Sequence, residues 1–228
     1  MNASISSGAA LAAERGFTVI RKGEVEPTRL RDVVFSALPN TGNKEVDAYR
    51  LKNIGNITRG VTRIAAAKAV GAPTFYGVVS ARVTKADGEV LDYGVVSCRV
   101  VTDAGVAYIV DAFQNSTELE NMKHHGFGTG TTAEAAGQTA LVTELTTEYA
   151  VNNTRPTGTT TEGATANIYR TVATLSPDSS VAITEHGIFS QAATGGGTML
   201  DRSVFSAINL TSSDSLQITY DLTFTSGS

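Results

Sequence analysis

Apolar and polar residues alternate most cleanly near the C-terminal end of the chain. Over residues 214–225, Leu216, Ile218, Tyr220, Leu222 and Phe224 fall on one side of an extended segment and polar residues on the other. This predicts an antiparallel strand with one buried face. Further strands are predicted over 166–175, 181–190 and 199–208, separated by Ser-Pro-Asp-Ser-Ser and Thr-Gly-Gly-Gly-Thr loops. Upstream, two Val-rich runs at 75–83 and 89–101 flank Asp87-Gly88. That dipeptide predicts a β-hairpin over 75–101 with a type I′ turn, which needs positive φ at both central residues.

Other stretches read less cleanly. Residues 102–113 fit either a second turn at Thr102–Gly105 or a helix with Asp103 as its cap. Between Asp47 and Val70, the residues Ala48, Leu51, Ile54, Val61, Ile64 and Ala65 have partial helical spacing. Gly55 and Gly60 interrupt it, at a cost of about 1 kcal/mol each relative to Ala. The pattern therefore predicts a helix only over 63–70, stopped by Gly71 and Pro73, with a strand and turn equally open. Residues 24–39 read as an extended arm or as a short helix closed by Pro39. Residues 1–16 are small and polar, as in an arm that orders against a partner or a frayed end. Residues 126–137 read as a small-residue loop, and no repeat recurs at a fixed period.

Strand signals every 15–20 residues predict a mainly β chain. The expected fold is an antiparallel β-sandwich, jelly-roll or Ig-like, with an extended N-terminal arm and at most one or two short helices. The expected divisions are an attachment arm at 1–45, a β-rich region at 46–115 open to being part of the same sandwich, and a Thr/Gly-rich sandwich region at 116–228.

Composition sharpens this picture. Of 228 residues, 41% are hydrophobic but only 7% aromatic, with no Trp and 22 Gly, so the core must come from Val, Ile, Leu and Ala. The net charge of −4 gives no general attraction to phosphate, and nucleic acid is not an expected partner. Charge is split along the chain. Residues 1–116 hold 14 bases and 11 acids, against 4 and 11 in the remainder, and 23 of the 31 Thr lie from Thr117 onward. The single cysteine, Cys98, allows no internal disulfide. The first residues lack the basic start and apolar run of a signal peptide, and no stretch is apolar enough to span a membrane. No membrane partner is expected.

Candidate chemistry is sparse. Gly126-x-Gly128-x-Gly130 lacks the third glycine spacing and βαβ context of a dinucleotide loop. Adjacent His124 and His125 would point to opposite faces of a strand and chelate poorly, and His186 stands beside Glu185. Cys98 sits among Val95, Val96, Val100 and Val101, where a thiol serves as a small hydrophobe. The acid pairs Glu118/Glu120 and Glu24/Glu26 read as solvated charge. The bases at 15, 21, 22, 29 and 31 form a modest cluster suited to an acidic protein surface. No catalytic, cofactor-binding or metal-ligating residue is expected, no cofactor is implied, and the partner-binding residues stay unassigned.

One resemblance bears on function. The segment Val101-Thr-Asp-Ala-Gly-Val-Ala-Tyr-Ile-Val110, followed by 123–141 with its G-T-G-T-T-A and T-A-L elements, resembles virion proteins of tailed bacteriophages. So do Ile183-Thr-Glu-His-Gly-Ile-Phe189, Leu200-Asp-Arg202 and Ile218-Thr-Tyr-Asp-Leu-Thr-Phe224. Together they span about residues 100–225. The resemblance implies a non-enzymatic virion structural protein, foremost a capsid decoration or cement protein. Its implied partners are the major capsid protein and further copies of itself, as a homotrimer near local threefold positions. A tail-fibre, collar or baseplate component is the alternative within the same class. A host-surface or carbohydrate-binding module is an alternative from outside it.

Overall fold

The structure is a computed structural model that describes residues 30–71 and 73–226. The described residues form three α-helices, α1 (Leu30–Ser36), α2 (Lys44–Ala69) and α3 (Asp103–Phe113), and eight strands. The strands are β1 (Thr74–Thr84), β2 (Val90–Val100), β3 (His124–Gly128), β4 (Thr159–Glu162), β5 (Ile168–Leu175), β6 (Val181–Phe189), β7 (Met199–Leu210) and β8 (Ser215–Thr225). A five-stranded sheet runs β2-β1-β8-β5-β4 and a three-stranded sheet β3-β6-β7, with every pairing antiparallel. The two sheets pack together as the sandwich expected from the strand pattern.

Alternation in β8 does what its sequence predicts. Leu216, Ile218, Tyr220 and Leu222 are buried, in one core with Ile183 and Ile188 of β6 and Phe205 and Ile208 of β7. β8 lies between β1 and β5, so the hairpin upstream and the Thr-rich region downstream share one sheet. The hairpin forms over β1 and β2, but its turn differs from the type I′ expected. Gly88 alone has positive φ, at +87°. Lys85 N–H donates to the Glu89 carbonyl at 2.8 Å, and Gly88 N–H donates back to the Lys85 carbonyl at 2.9 Å. The loop is thus one residue longer than a two-residue turn and ends in a single left-handed glycine.

Helical content exceeds the one or two short helices expected. α2 runs unbroken through Gly55 and Gly60 for 26 residues. Asn43 caps it, its Oδ1 accepting from the N–H groups of Glu45 and Val46. The buried stripe is Val46, Tyr49, Asn53, Ile57, Gly60 and Ile64. Gly60 lies on the inward face, where an added Cβ would meet the Cys98 carbonyl oxygen, so the position requires glycine. Asn53 joins two strands, its Nδ2 donating to the Val96 carbonyl at 2.7 Å and its Oδ1 accepting from Ser206 N–H at 2.9 Å. The helix therefore lies across the seam between β2 and β7.

The open choice at 102–113 falls to a helix, with Thr102 rather than Asp103 as its cap: Thr102 Oγ1 accepts from Gly105 N–H at 3.0 Å. Residues 30–45, expected as part of an attachment arm, instead form α1 and the start of α2. Val33 and Ala37 are buried in a second core with Ile57, Ile64, Tyr76, Val78, Val95 and Cys98. The extended-arm expectation for 1–29 lies outside the described residues. β4 was not foreseen, since its Thr-Thr-Thr-Glu is exposed throughout and carries no apolar face.

Candidate functional site

The Gly-x-Gly-x-Gly segment is not the loose loop its composition predicts. Gly126 and Gly128 lie in β3, paired with β6, and Gly130 follows directly. Added Cβ atoms at Gly128 and Gly130 would each sit 2.5 Å from Glu185 Oε1. The segment does cradle an anion, and the anion is the chain's own carboxylate. Glu185 Oε1 accepts from Gly130 N–H at 3.0 Å and from Thr143 N–H at 2.7 Å, and Oε2 accepts from Val142 N–H at 3.1 Å. Arg202 completes the set, its Nε donating to Oε2 at 2.8 Å. Arg202 Nη1 also donates to the Thr132 carbonyl and to Gln138 Oε1, each at 3.0 Å. Glu185 and Arg202 are both buried, so the charges are compensated by each other and by backbone dipoles.

Two more ion pairs hold the largely strandless stretch 129–158. Arg155 binds Glu144 through Nε and Nη2, lies 3.5 Å over the Phe189 ring, and donates to the Gln191 and Gly196 carbonyls. Arg99 binds Glu134, whose Oε1 also accepts from Val204 N–H at 2.7 Å. Asn56 ties Arg99 back to α2 and also donates to the Val204 carbonyl. Under this stretch, Leu141, Phe189 and Met199 form a small core of their own.

The histidines divide as strand geometry predicts. His124 is half-buried and contacts Thr157 Oγ1 at 3.1 Å. His125 turns into the interior and meets His186, with Nδ1 and Nε2 3.0 Å apart, while His125 Nε2 lies 3.1 Å from Thr171 Oγ1. Burial drives both rings to the neutral form, pushing His186 down to about 3 and His125 well below its ordinary value. His186 Nδ1 has no partner. A buried lone pair without a donor is better tolerated than a buried N–H without an acceptor. This favours His186 Nε2–H donating to His125 Nδ1 and His125 Nε2–H donating to Thr171.

Beside the pair, Asp201 Oδ1 accepts from Ser203 Oγ at 3.2 Å, while Asp201 Oδ2 and the Tyr220 hydroxyl have no partner. Both would lie 2.8 Å from a Cβ at Gly77, so the missing side chain there makes their room. Burial pushes the Asp201 carboxyl up to about 7. Cys98 is also buried, and desolvation raises its thiol to about 12, leaving no thiolate near neutral pH.

These interior groups do not reach the surface cleft. That cleft, of about 280 Å³, is lined by Glu45, Ala48, Tyr49, Lys52, Lys85, Tyr93, Ala207 and Asn209. Tyr93 donates to Glu45 Oε1 at 3.2 Å across it, and the Tyr49 and Tyr93 rings meet edge to face at 4.5 Å. No histidine, cysteine or Asp201 lines it. Among the described residues no cluster of three or more His, Cys, Asp or Glu side chains could hold a metal ion. Glu118 caps the N-terminal end of the 3₁₀ turn Leu119–Asn121 and Glu120 lies within it, both exposed. Glu24, Glu26 and the bases at 15, 21, 22 and 29 lie outside the described residues. No helix of the described chain is long and apolar enough to cross a membrane.

What the fold of the described residues defines is a class, a two-sheet antiparallel sandwich carrying three helices. Comparison with protein-family models, with curated proteins and with solved structures finds no match.

Proposed function

We propose that this chain is a non-enzymatic structural subunit of a tailed-bacteriophage virion that binds the outside of the capsid lattice as a decoration protein. The observation that carries the reading is the fate of the motifs that resemble such proteins. Gly128 and Gly130 of the G-T-G-T-T-A element give Glu185 its room, and the Thr132 carbonyl accepts from Arg202. Leu141 of the T-A-L element packs on Phe189. Glu185 comes from the E-x-G-I-F element and Arg202 from the L-x-R element, and they close on each other. Four elements of the signature thus meet at one internal lock beneath the stretch 129–158.

A fixed surface suits a subunit that makes repeated contacts on a lattice. Each copy would bridge neighbouring major-capsid subunits through several weak contacts, so that expansion or internal pressure has to break many at once. The test uses capsids of the source phage assembled without this chain. Adding the purified chain should give saturable co-sedimentation at a fixed ratio to the major capsid protein, and should raise the temperature at which shells rupture. Failure to co-sediment with shells at micromolar concentration would remove the decoration reading.

A further inference from the structure

Charge is segregated between two helices. Residues 48–86 contain no Asp or Glu, and residues 100–122 contain no Lys or Arg. On α2, Lys52, Arg59 and Arg63 are exposed at spacings of seven and four, one stripe along the outer face. Beside them lie Leu51, 66% exposed, Val70, 79% exposed, and the small residues Gly55 and Ala66. On α3 the exposed large hydrophobic residues are Val106 (40%), Val110 (49%) and Phe113 (85%), at i, i+4 and i+7. Asp103 and Asp111 of α3, and Glu118 and Glu120 just beyond its C-terminal end, are exposed as well. None of Arg59, Arg63, Asp111 and Glu118 forms an ion pair among the described residues.

We propose that α2 of one copy docks on α3 of another copy of this chain, so that the protein associates with itself head to tail. Each face supplies what the other lacks. The acidic rim of α3 meets the bases of α2, and the Val106, Val110 and Phe113 stripe meets the shallow surface around Gly55, where an added Cβ would touch nothing. An apolar centre with a charged rim is the ordinary anatomy of a protein interface. A two-fold contact of either face with itself would set four acids on four acids, or bases on bases, and complementarity rejects that arrangement. A contact between two different faces leaves one of each kind free on a head-to-tail pair, so it propagates, closing into a ring where the rotation allows and otherwise extending as a filament. This association needs no capsid, so it and the decoration reading succeed or fail separately.

The experiment is sedimentation velocity on the full chain, from 1 to about 100 µM, at 50 and 500 mM salt. Wild type should sediment as an oligomer, with association at least about tenfold weaker at high salt because the rim pairs are screened. Arg59→Glu with Arg63→Glu should sediment as a monomer, and so should Asp111→Lys with Glu118→Lys. Mixed in equal amounts, the two variants should recover the oligomer, since each then offers the charge the other requires. Gly55→Gln should weaken association at least about tenfold without lowering the melting temperature, because it fills the docking surface while favouring the helix. A monomeric wild type, charge variants that still assemble, or a mixture that stays monomeric would each overturn the proposal.

Discussion

Asp201 and the pair His125 and His186 share a dry interior but tie stability to pH in opposite directions. The folded state holds both imidazoles neutral, so their contribution is present above about pH 6.5 and is lost as pH falls toward about 3. Asp201 holds its proton in the folded chain up to about 7. Its contribution is full below about pH 3.8 and is lost as pH rises to about 7. Replacing Asp201 with Asn keeps the shape and removes the titration. Relative to wild type, Asp201→Asn should gain about 1 kcal/mol per pH unit between pH 4 and 7 and stay level above that. Urea unfolding across this range measures it, and a difference independent of pH would show that Asp201 does not titrate inside the sandwich. None of this was legible in the sequence. Asp201 stands in a strand next to Arg202, and only the packing of β7 against Gly77 and Tyr220 separates the acid from the base.

Among the elements, the lock between Glu185 and Arg202 decides how firmly the stretch 129–158 is held. Arg202→Met leaves Glu185 buried without its cation and should cost about 3–5 kcal/mol. The double variant Glu185→Gln, Arg202→Met removes the uncompensated charge and should recover part of that loss. Chemical denaturation of both variants checks this; a single variant as stable as wild type would mean the pair does not carry the loop.

The strands were the legible part, because β8 alternates, β5, β6 and β7 are short runs bounded by Ser-Pro-Asp-Ser-Ser and Thr-Gly-Gly-Gly-Thr loops, and the hairpin is marked by Asp87-Gly88. α2 was misread for a physical reason. Its buried stripe contains Asn53 and Gly60, which look wrong by hydrophobicity, while exposed Ala48 and Leu51 look right. Gly60 is a contact requirement rather than a helix breaker, and that depends on the Cys98 carbonyl about 40 residues away in sequence. The same limit hid the carboxylate cradle. Gly128 and Gly130 read as loop glycines until Glu185, more than 50 residues later, is placed between them.

Across the whole molecule, the acid–base groups are sealed between the sheets while the outer surface carries opposed helix faces and a stiffened loop. The two helix faces carry opposite charge, with no Asp or Glu over residues 48–86 and no Lys or Arg over residues 100–122. Decoration of a capsid requires contacts to repeat at lattice sites, which sets the number of copies per particle. The most direct test is therefore the ratio of this chain to the major capsid protein in purified virions, by quantitative mass spectrometry. The account predicts a fixed ratio corresponding to hundreds of copies per head; a handful of copies would place the chain in a tail, collar or fibre, and its absence from virions would contradict the account outright.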